Sequence, residues 1–383
     1  MALSAAERAR YQRHLTLEEI GVAGQEKLKR ARVLVIGAGG LGSPSALYLA
    51  ASGVGTLGIV DCDRVDVSNL QRQVLFDSGS VERPKAAAAR ERLLALNPGI
   101  EVVAHEVELR AANVRGILGG YDLVLDGTDR LATRYLVNDA CVILGKPLVS
   151  AAIHRFEGQV MTYLPGRGPC YRCLYADVPE GLVPNCADAG VLGVLPGVLG
   201  AIQATEAIKL VVGIGEPLAG RLLVYDALEM QFREFAFARR PGCAVCGDRP
   251  TITEPRDPPQ ACDAATTAQV RRIAPGQLRV MLDRESDPAE RRPILVVDVR
   301  EPREFAAGRL VGSLNIPLAE LRGRLGEIPA QATPVFVCRS GARSMTACGI
   351  AASAGVGNAC NLEGGLLAWA AEIDPALVVA SAR

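Results

Sequence analysis

Arg32-Val33-Leu34-Val35-Ile36-Gly37-Ala38-Gly39-Gly40-Leu41-Gly42 reads as a short apolar strand running directly into a glycine-rich turn. Five residues of this kind suit a strand buried on both faces, and the glycines let the chain turn tightly into a helix. A second apolar run, 56–60, ends at Asp61, 19 positions beyond Gly42. Strand, Gly-x-Gly-x-x-Gly turn, helix and a later acidic residue fit a nucleotide cradle. Phosphate can approach the loop backbone and helix start, and the carboxylate can take ribose hydroxyls. Candidate strands at 102–104 and 122–125, the latter ending at Asp126, alternate with helical stretches such as 85–96. That alternation predicts an α/β fold with a Rossmann-like, mostly parallel sheet and helices on both faces, which later strands near 159–163 and 221–225 extend.

The chain has 383 residues, with 42 basic and 42 acidic side chains. Its length suggests two domains, and the balanced charge gives no argument for a nucleic-acid or membrane surface. Residues 1–14 lack the apolar core of a signal peptide, which predicts an intracellular, cytoplasmic protein. Residues 189–205 carry no charge but include Pro196 and several glycines, and read as a buried loop and helix too short for a bilayer. From 250 to 264 the composition turns to Pro, Asp, Thr and Glu, which predicts a linker between a domain at 1–249 and a smaller α/β domain at 265–383.

Two Cys-x-x-Cys pairs, Cys170/Cys173 and Cys243/Cys246, are separated by 69 residues. Four thiolates satisfy Zn²⁺ tetrahedrally and leave no open position, so the spacing predicts one structural zinc that staples distant segments. Two disulfides or two redox dithiols are the alternatives.

The glycine turn alone would equally suit an NAD-dependent oxidoreductase. The discriminating residues are Ser68-Asn69-Leu70-Gln71-Arg72-Gln73, Lys85 at the start of the next helix, and Gly127-Thr128-Asp129-Arg130 past the fourth strand. Cations, amides and a carboxylate gathered where open α/β sheets bind ligands suit chemistry at the α-phosphate of ATP, where charge grows on phosphoryl oxygens. Each residue alone has an ordinary reading, Arg72 and Lys85 as solvated charges and Asp129 as a helix cap.

In the second domain a strand at 335–337 ends at Cys338, and Arg339-Ser340-Gly341-Ala342-Arg343 leads into a helix. Backbone N–H groups, the helix dipole and two nearby arginines would favour a thiolate or an anionic persulfide there. A tyrosine-phosphatase cradle has five residues between cysteine and arginine. Here there are four, and Val337 stands where that cradle has histidine.

These motifs resemble two families. Arg10 to His14, Gly37 to Gly42, Asp61, Ser68 to Arg72, Lys85, Thr128-Asp129 and the four paired cysteines resemble, in order and spacing, the ubiquitin-activating-enzyme-like adenylyltransferases of sulfur-carrier proteins, whose bacterial members include MoeB and ThiF. That resemblance implies ATP bound by Gly40, Asp61, Asn69, Arg72 and Lys85, and Mg²⁺ held by Asp129. It also implies a homodimer in which Arg13 reaches the neighbouring subunit's site. Cys186 matches a cysteine that in related fusion proteins is a candidate for a covalent bond with the carrier; a bystander role stays open. Asp298-Val299-Arg300, Glu304-Phe305, Asn315 to Leu318, the Cys338 loop, Gly364-Gly365 and Trp369 resemble a rhodanese domain, with Arg309 where a histidine is usual. Together the halves imply ATP-dependent adenylation of a MoaD/ThiS-like carrier ending in Gly-Gly, then sulfur transfer from a Cys338 persulfide charged by a cysteine desulfurase or another donor. The carrier thiocarboxylate would serve molybdopterin, thiamine, cysteine or tRNA thiolation. An oxidoreductase with a rhodanese-like tail and a non-catalytic carrier-binding scaffold remain the alternatives.

Overall fold

The computed structural model describes residues 2–176, 190–257, 270–284, 293–318 and 320–379. These form two compact units, one of residues 2–176 with 190–257 and one of residues 270–379. Cys186 and linker residues 258–264 lie outside the described residues.

The first unit is built on eight strands: β1 (Arg32–Ile36), β2 (Thr56–Val60), β3 (Glu101–His105), β4 (Leu123–Asp126), β5 (Leu148–His154), β6 (Glu157–Tyr163), β7 (Arg221–Asp226) and β8 (Gln231–Ala236). Their spatial order is β3-β2-β1-β4-β5-β6-β7-β8. The first five are parallel, and β6, β7 and β8 continue the sheet antiparallel. β2 and β4 are buried along their whole length, as expected of strands covered on both faces. One face carries helices Gly42–Ser52, Lys85–Leu96 and Leu195–Val212, the other Ala111–Gly119 and Leu131–Leu144. The strand order reverses between β1 and β4, so the crevice for a ligand opens where the glycine turn and residues 127–130 emerge.

Helix Leu195–Val212 runs further than the charge-free stretch predicts. Its length and composition suffice to cross a membrane, yet half of it is buried within the unit. It continues through Glu206 because that carboxylate is satisfied internally, accepting from Thr162 Oγ1 at 2.8 Å and the Leu218 N–H at 2.7 Å.

The second unit is an all-parallel sheet of β9 (Arg271–Ile273), β10 (Ile294–Asp298), β11 (Leu314–Asn315), β12 (Thr333–Val337) and β13 (Cys360–Leu362), in the order β11-β10-β12-β13-β9. Helices Ala342–Ser353 and Gly365–Glu372 follow β12 and β13, and Trp369 is 4% exposed in the core beside Leu366.

Candidate adenylation and sulfur sites

The glycine turn is dictated by close backbone approach. Gly37 has φ +84°, and a Cβ on Gly42 would overlap the Gly37 carbonyl, so neither position accepts a side chain without moving the loop. Among the described residues nothing accepts from the N–H groups of Gly39, Gly40 and Leu41, which precede the eleven-residue helix Gly42–Ser52. Unpaired amides at a helix start suit phosphate oxygens. Beside Gly39 lies Gln73, 4% exposed, with its Oε1 buried and unpartnered. It closes the run Ser68 to Gln73 singled out in the sequence, where it had no role of its own. A buried carboxamide of this kind awaits a partner, and its place in the run 68–73 was the available signal.

Asp61 stands at the carboxyl end of β2. Its Oδ2 accepts from the Ala38 N–H at 2.8 Å and its Oδ1 from the Asp63 N–H at 2.9 Å, tying it to the glycine turn. Burial pushes its carboxyl above the usual range, against the pull of Lys85 and those two N–H groups. Residues 67–69 form a short turn in which Asp66 accepts from the N–H and hydroxyl of Ser68, and Asn69 Oδ1 accepts from the Asp66 N–H. Arg72 Nη1 donates to the Ser68 carbonyl at 3.1 Å, and its stem lies 3.6 Å from where a Gly40 Cβ would be. Leu70 packs on the core, and Gln71 is exposed with its carbonyl close against Gly193.

Lys85 opens helix Lys85–Leu96 and is buried, with Nζ 3.1 Å from Asp63 Oδ2. Asp63, which the sequence reading passed over, therefore holds the cation in place. Asp129 and Arg130 are exposed, and Arg130 Nη1 lies 3.6 Å from Glu108. Arg13 is exposed on the short helix Gln12–Leu15. That helix is fixed by its flanks: Tyr11 Oη accepts from buried Asn97 at 2.8 Å, and His14 Nδ1 lies 3.0 Å from buried Gln25.

The four paired cysteines converge. Their sulfurs all lie within 4.8 Å of one another, with Cys170–Cys243 at 3.6 Å and Cys173–Cys246 at 3.3 Å. Sulfurs 2.3 Å from a tetrahedral zinc would be about 3.8 Å apart, so the set fits Zn²⁺. Burial and the neighbouring sulfurs push the Cys170 thiol far up, and burial raises Cys246 to about 11. A dication removes that cost by stabilising four thiolates. Cys173 of the first pair receives the Arg240 N–H on its Sγ at 3.4 Å, and Arg172, between the cysteines of that pair, forks onto buried Asp139 at 2.7 and 2.8 Å.

In the second unit Cys338 directly follows β12 and is 1% exposed. Its Sγ receives the Gly341 N–H at 3.2 Å and the Ser344 hydroxyl at 3.4 Å. Gly341, at φ +95°, turns the chain into helix Ala342–Ser353. From behind, the N–H groups of Leu366 and Leu367 donate to the carbonyls of Cys338 and Arg339 at 2.8 and 3.0 Å. The two arginines differ. Arg339 is half-buried with Nε unpartnered, whereas Arg343 forks onto Glu304 with two 2.8 Å bonds. Arg343 thus braces the loop with its charge balanced, and Glu304 is a residue whose role here sequence spacing could not give. Ser340 is exposed. Asp298 and Arg300 form a fully buried pair, and Asn315 Nδ2 donates to both their carbonyls at 2.9 Å.

Comparison with known proteins places these sites in context. The ThiF family matches residues 11–245, and the rhodanese-like domain matches residues 278–372. The chain is 46% identical to the probable adenylyltransferase/sulfurtransferase MoeZ of Mycobacterium tuberculosis, over 99% of this chain and 96% of that protein. It is 55% identical to a sulfur carrier protein adenylyltransferase of Thermus thermophilus, over 64% of this chain and 93% of that one. The crystal structure of E. coli MccB with ATP superposes with a TM-score of 0.54 at 26% identity, covering 59% of this chain and 70% of that one. Relatives of this kind leave the oxidoreductase and scaffold alternatives without support.

Proposed function

The chain belongs to the ThiF family and carries a rhodanese-like domain, and on that premise we propose that it is an adenylyltransferase and sulfurtransferase acting on the C-terminal glycine of a small ubiquitin-like sulfur-carrier protein. A carrier carboxylate oxygen attacks the α-phosphorus of ATP, the bond to the β-phosphate oxygen breaks, and pyrophosphate leaves. The terminal sulfur of a Cys338 persulfide then attacks the acyl carbon and AMP leaves, giving an acyl disulfide on Cys338. A second thiol attacks the Cys338 sulfur and releases the carrier thiocarboxylate; Cys186 is the proposed nucleophile, and an external reductant reopens the resulting disulfide.

The observation that carries this reading is the pairing in one chain of an amide-lined glycine turn beside Arg72 and Lys85 with a cysteine whose sulfur receives two hydrogen-bond donors. Amides, Arg72 and Lys85 supply positive character to phosphoryl oxygens as charge moves to pyrophosphate. Asp61 and Asn69 would hold the nucleoside, with Ser68, Leu70, Gln71 and Arg130 lining the mouth. Mg²⁺ held through Asp129 would neutralise the triphosphate. Arg13, exposed on a rigid mount, suits a contribution across a homodimer. The proposed domain limits are 1–249 and 265–383 with a linker at 250–264, the proposed location is the cytoplasm, and the proposed sulfur source is a cysteine desulfurase or equivalent donor.

ATP–pyrophosphate exchange in the presence of carrier tests the first half. Lys85→Ala and Asp129→Ala should each lower it about 10²-fold, the usual loss for a group stabilising transition-state charge. Exchange at the parent rate in both would refute the assignment.

A further inference from the structure

A buried guanidinium costs free energy unless it is fully hydrogen-bonded, so its placement beneath a ligand-binding loop demands a reason. Arg134, in the first turn of helix Leu131–Leu144, is 5% exposed. Its Nη2 donates to the Thr128 carbonyl at 2.6 Å, and its Nη1 to the Ala151 carbonyl at 2.6 Å and to Ser150 Oγ at 3.0 Å. Asp126 Oδ2 lies 3.5 Å from the same Nη1, and the Tyr171 ring centroid is 5.7 Å from the guanidinium carbon. One planar fork therefore joins the turn after β4 to β5.

We propose that Arg134 is the positioning residue for Asp129: by fixing the Thr128 carbonyl it sets the backbone that carries the Asp129 carboxylate, and so the affinity for the divalent cation bound with ATP. This rests on the reading of Asp129 as the cation ligand. Asp126 Oδ1 already accepts from the N–H and hydroxyl of Thr128, at 3.0 and 2.8 Å. With Arg134 on the carbonyl, every polar atom of Thr128 is tied down. Asp129 itself is exposed, with no partner among the described residues, so its aim depends on the residue before it. The turn is also wedged against the glycine loop, since a Cβ on Gly127 would lie 3.1 Å from the Gly42 nitrogen. Lysine keeps the charge but cannot span three acceptors in a plane. If Arg134 served only to neutralise Asp126, lysine would preserve that role and cation affinity would not change.

The test uses the full chain, with Mn²⁺ as a paramagnetic probe in the presence of ATP. Arg134→Lys should weaken Mn²⁺ binding to the ATP complex about 10-fold or more, the usual cost of losing a group that orients a ligand. The Mg²⁺ concentration for half-maximal pyrophosphate exchange should rise by the same factor, and ATP affinity in EDTA should stay within about twofold. Mn²⁺ affinity equal to the parent's overturns the proposal. If Arg134→Lys fails to fold, Ser150→Ala removes one partner of the fork and should weaken Mn²⁺ about threefold, with unchanged affinity again overturning it. Asp129→Asn separates the two levels. If it leaves Mn²⁺ affinity intact, the Asp129 reading and this inference both fall; if it weakens Mn²⁺ while Arg134→Lys and Ser150→Ala do not, only the inference falls.

Discussion

Cys173 and Cys338 are both buried, and their sulfurs meet opposite surroundings. At Cys173 the other three thiols of the cluster crowd the same space, the nearest 3.3 Å away, and burial with the neighbouring sulfurs opposes ionisation of Cys170. At Cys338 the neighbours of the sulfur are donors, the Gly341 N–H and the Ser344 hydroxyl, at the start of a twelve-residue helix. The first environment needs a cation from outside; the second has positive character built from the chain. One residue type thus serves to hold or to react according to what surrounds it.

The contrast breaks most visibly on metal removal. One zinc per chain is expected by elemental analysis, and Cys173→Ser should lose it. Structural zinc contributes on the order of 10 kcal/mol in small metal-folded peptides, so segments 170–173 and 240–247 should become protease-sensitive. Thiosulfate sulfurtransferase activity, carried by the other unit, should persist. A parent chain without zinc would mean the cluster is not a metal site, and a zinc-free Cys173→Ser chain as protease-resistant as the parent would mean the metal does not hold these segments.

A backbone change probes the other cysteine. Gly365 has φ +61°, and a Cβ there would lie 2.5 Å from the Cys338 carbonyl and 2.6 Å from the Gly341 nitrogen. Gly365→Ala should push the loop aside and cut sulfur transfer about 10²-fold, as misplacement of a reacting group does. Pyrophosphate exchange should be untouched. Equal sulfur transfer in the variant would show that the loop tolerates displacement and that the donors around Cys338 are incidental.

The smallest effect concerns the brace. Burial pushes the Glu304 carboxyl up, but the fork of Arg343 and the Glu301 N–H outweigh it, leaving the group below the usual carboxylate range. A lowered folded value means the stabilisation is present above the unfolded value of about 4.3 and is lost as pH falls through the folded one. Trp369, the chain's only tryptophan, reports unfolding of the second unit. That unit should lose stability as pH falls below about 4.3, and Glu304→Gln should remove most of this dependence.

Local constraints made much of this legible in the sequence. The glycine turn and the Cys-x-x-Cys spacings are short-range requirements of backbone and metal geometry, and β1, β2 and β4 are plain apolar runs between turns. The strand at 102–104 widened to Glu101–His105 because its ends are partly or wholly exposed and carry no apolar signal. β8 was missed because all six of its residues are exposed, so no alternation marks it. Arg134 and Asp63 were missed, and Gln73 and Glu304 were named without their roles, for another reason: those roles lie in neighbours that only the fold brings near, as Ala151 is to Arg134 or Arg343 to Glu304.

The central claim is that Cys338 supplies the sulfur while the other unit activates the carrier. Mass spectrometry of the parent chain and Cys338→Ser, each given ATP, Mg²⁺, carrier and a sulfur donor, tests it directly. The parent should gain one sulfur on the Cys338 peptide, and its carrier should end with sulfur in place of a carboxylate oxygen. Cys338→Ser should accumulate carrier adenylate and no thiocarboxylate. Thiocarboxylate formed by Cys338→Ser at the parent rate, with no outside nucleophile supplied, would contradict the account.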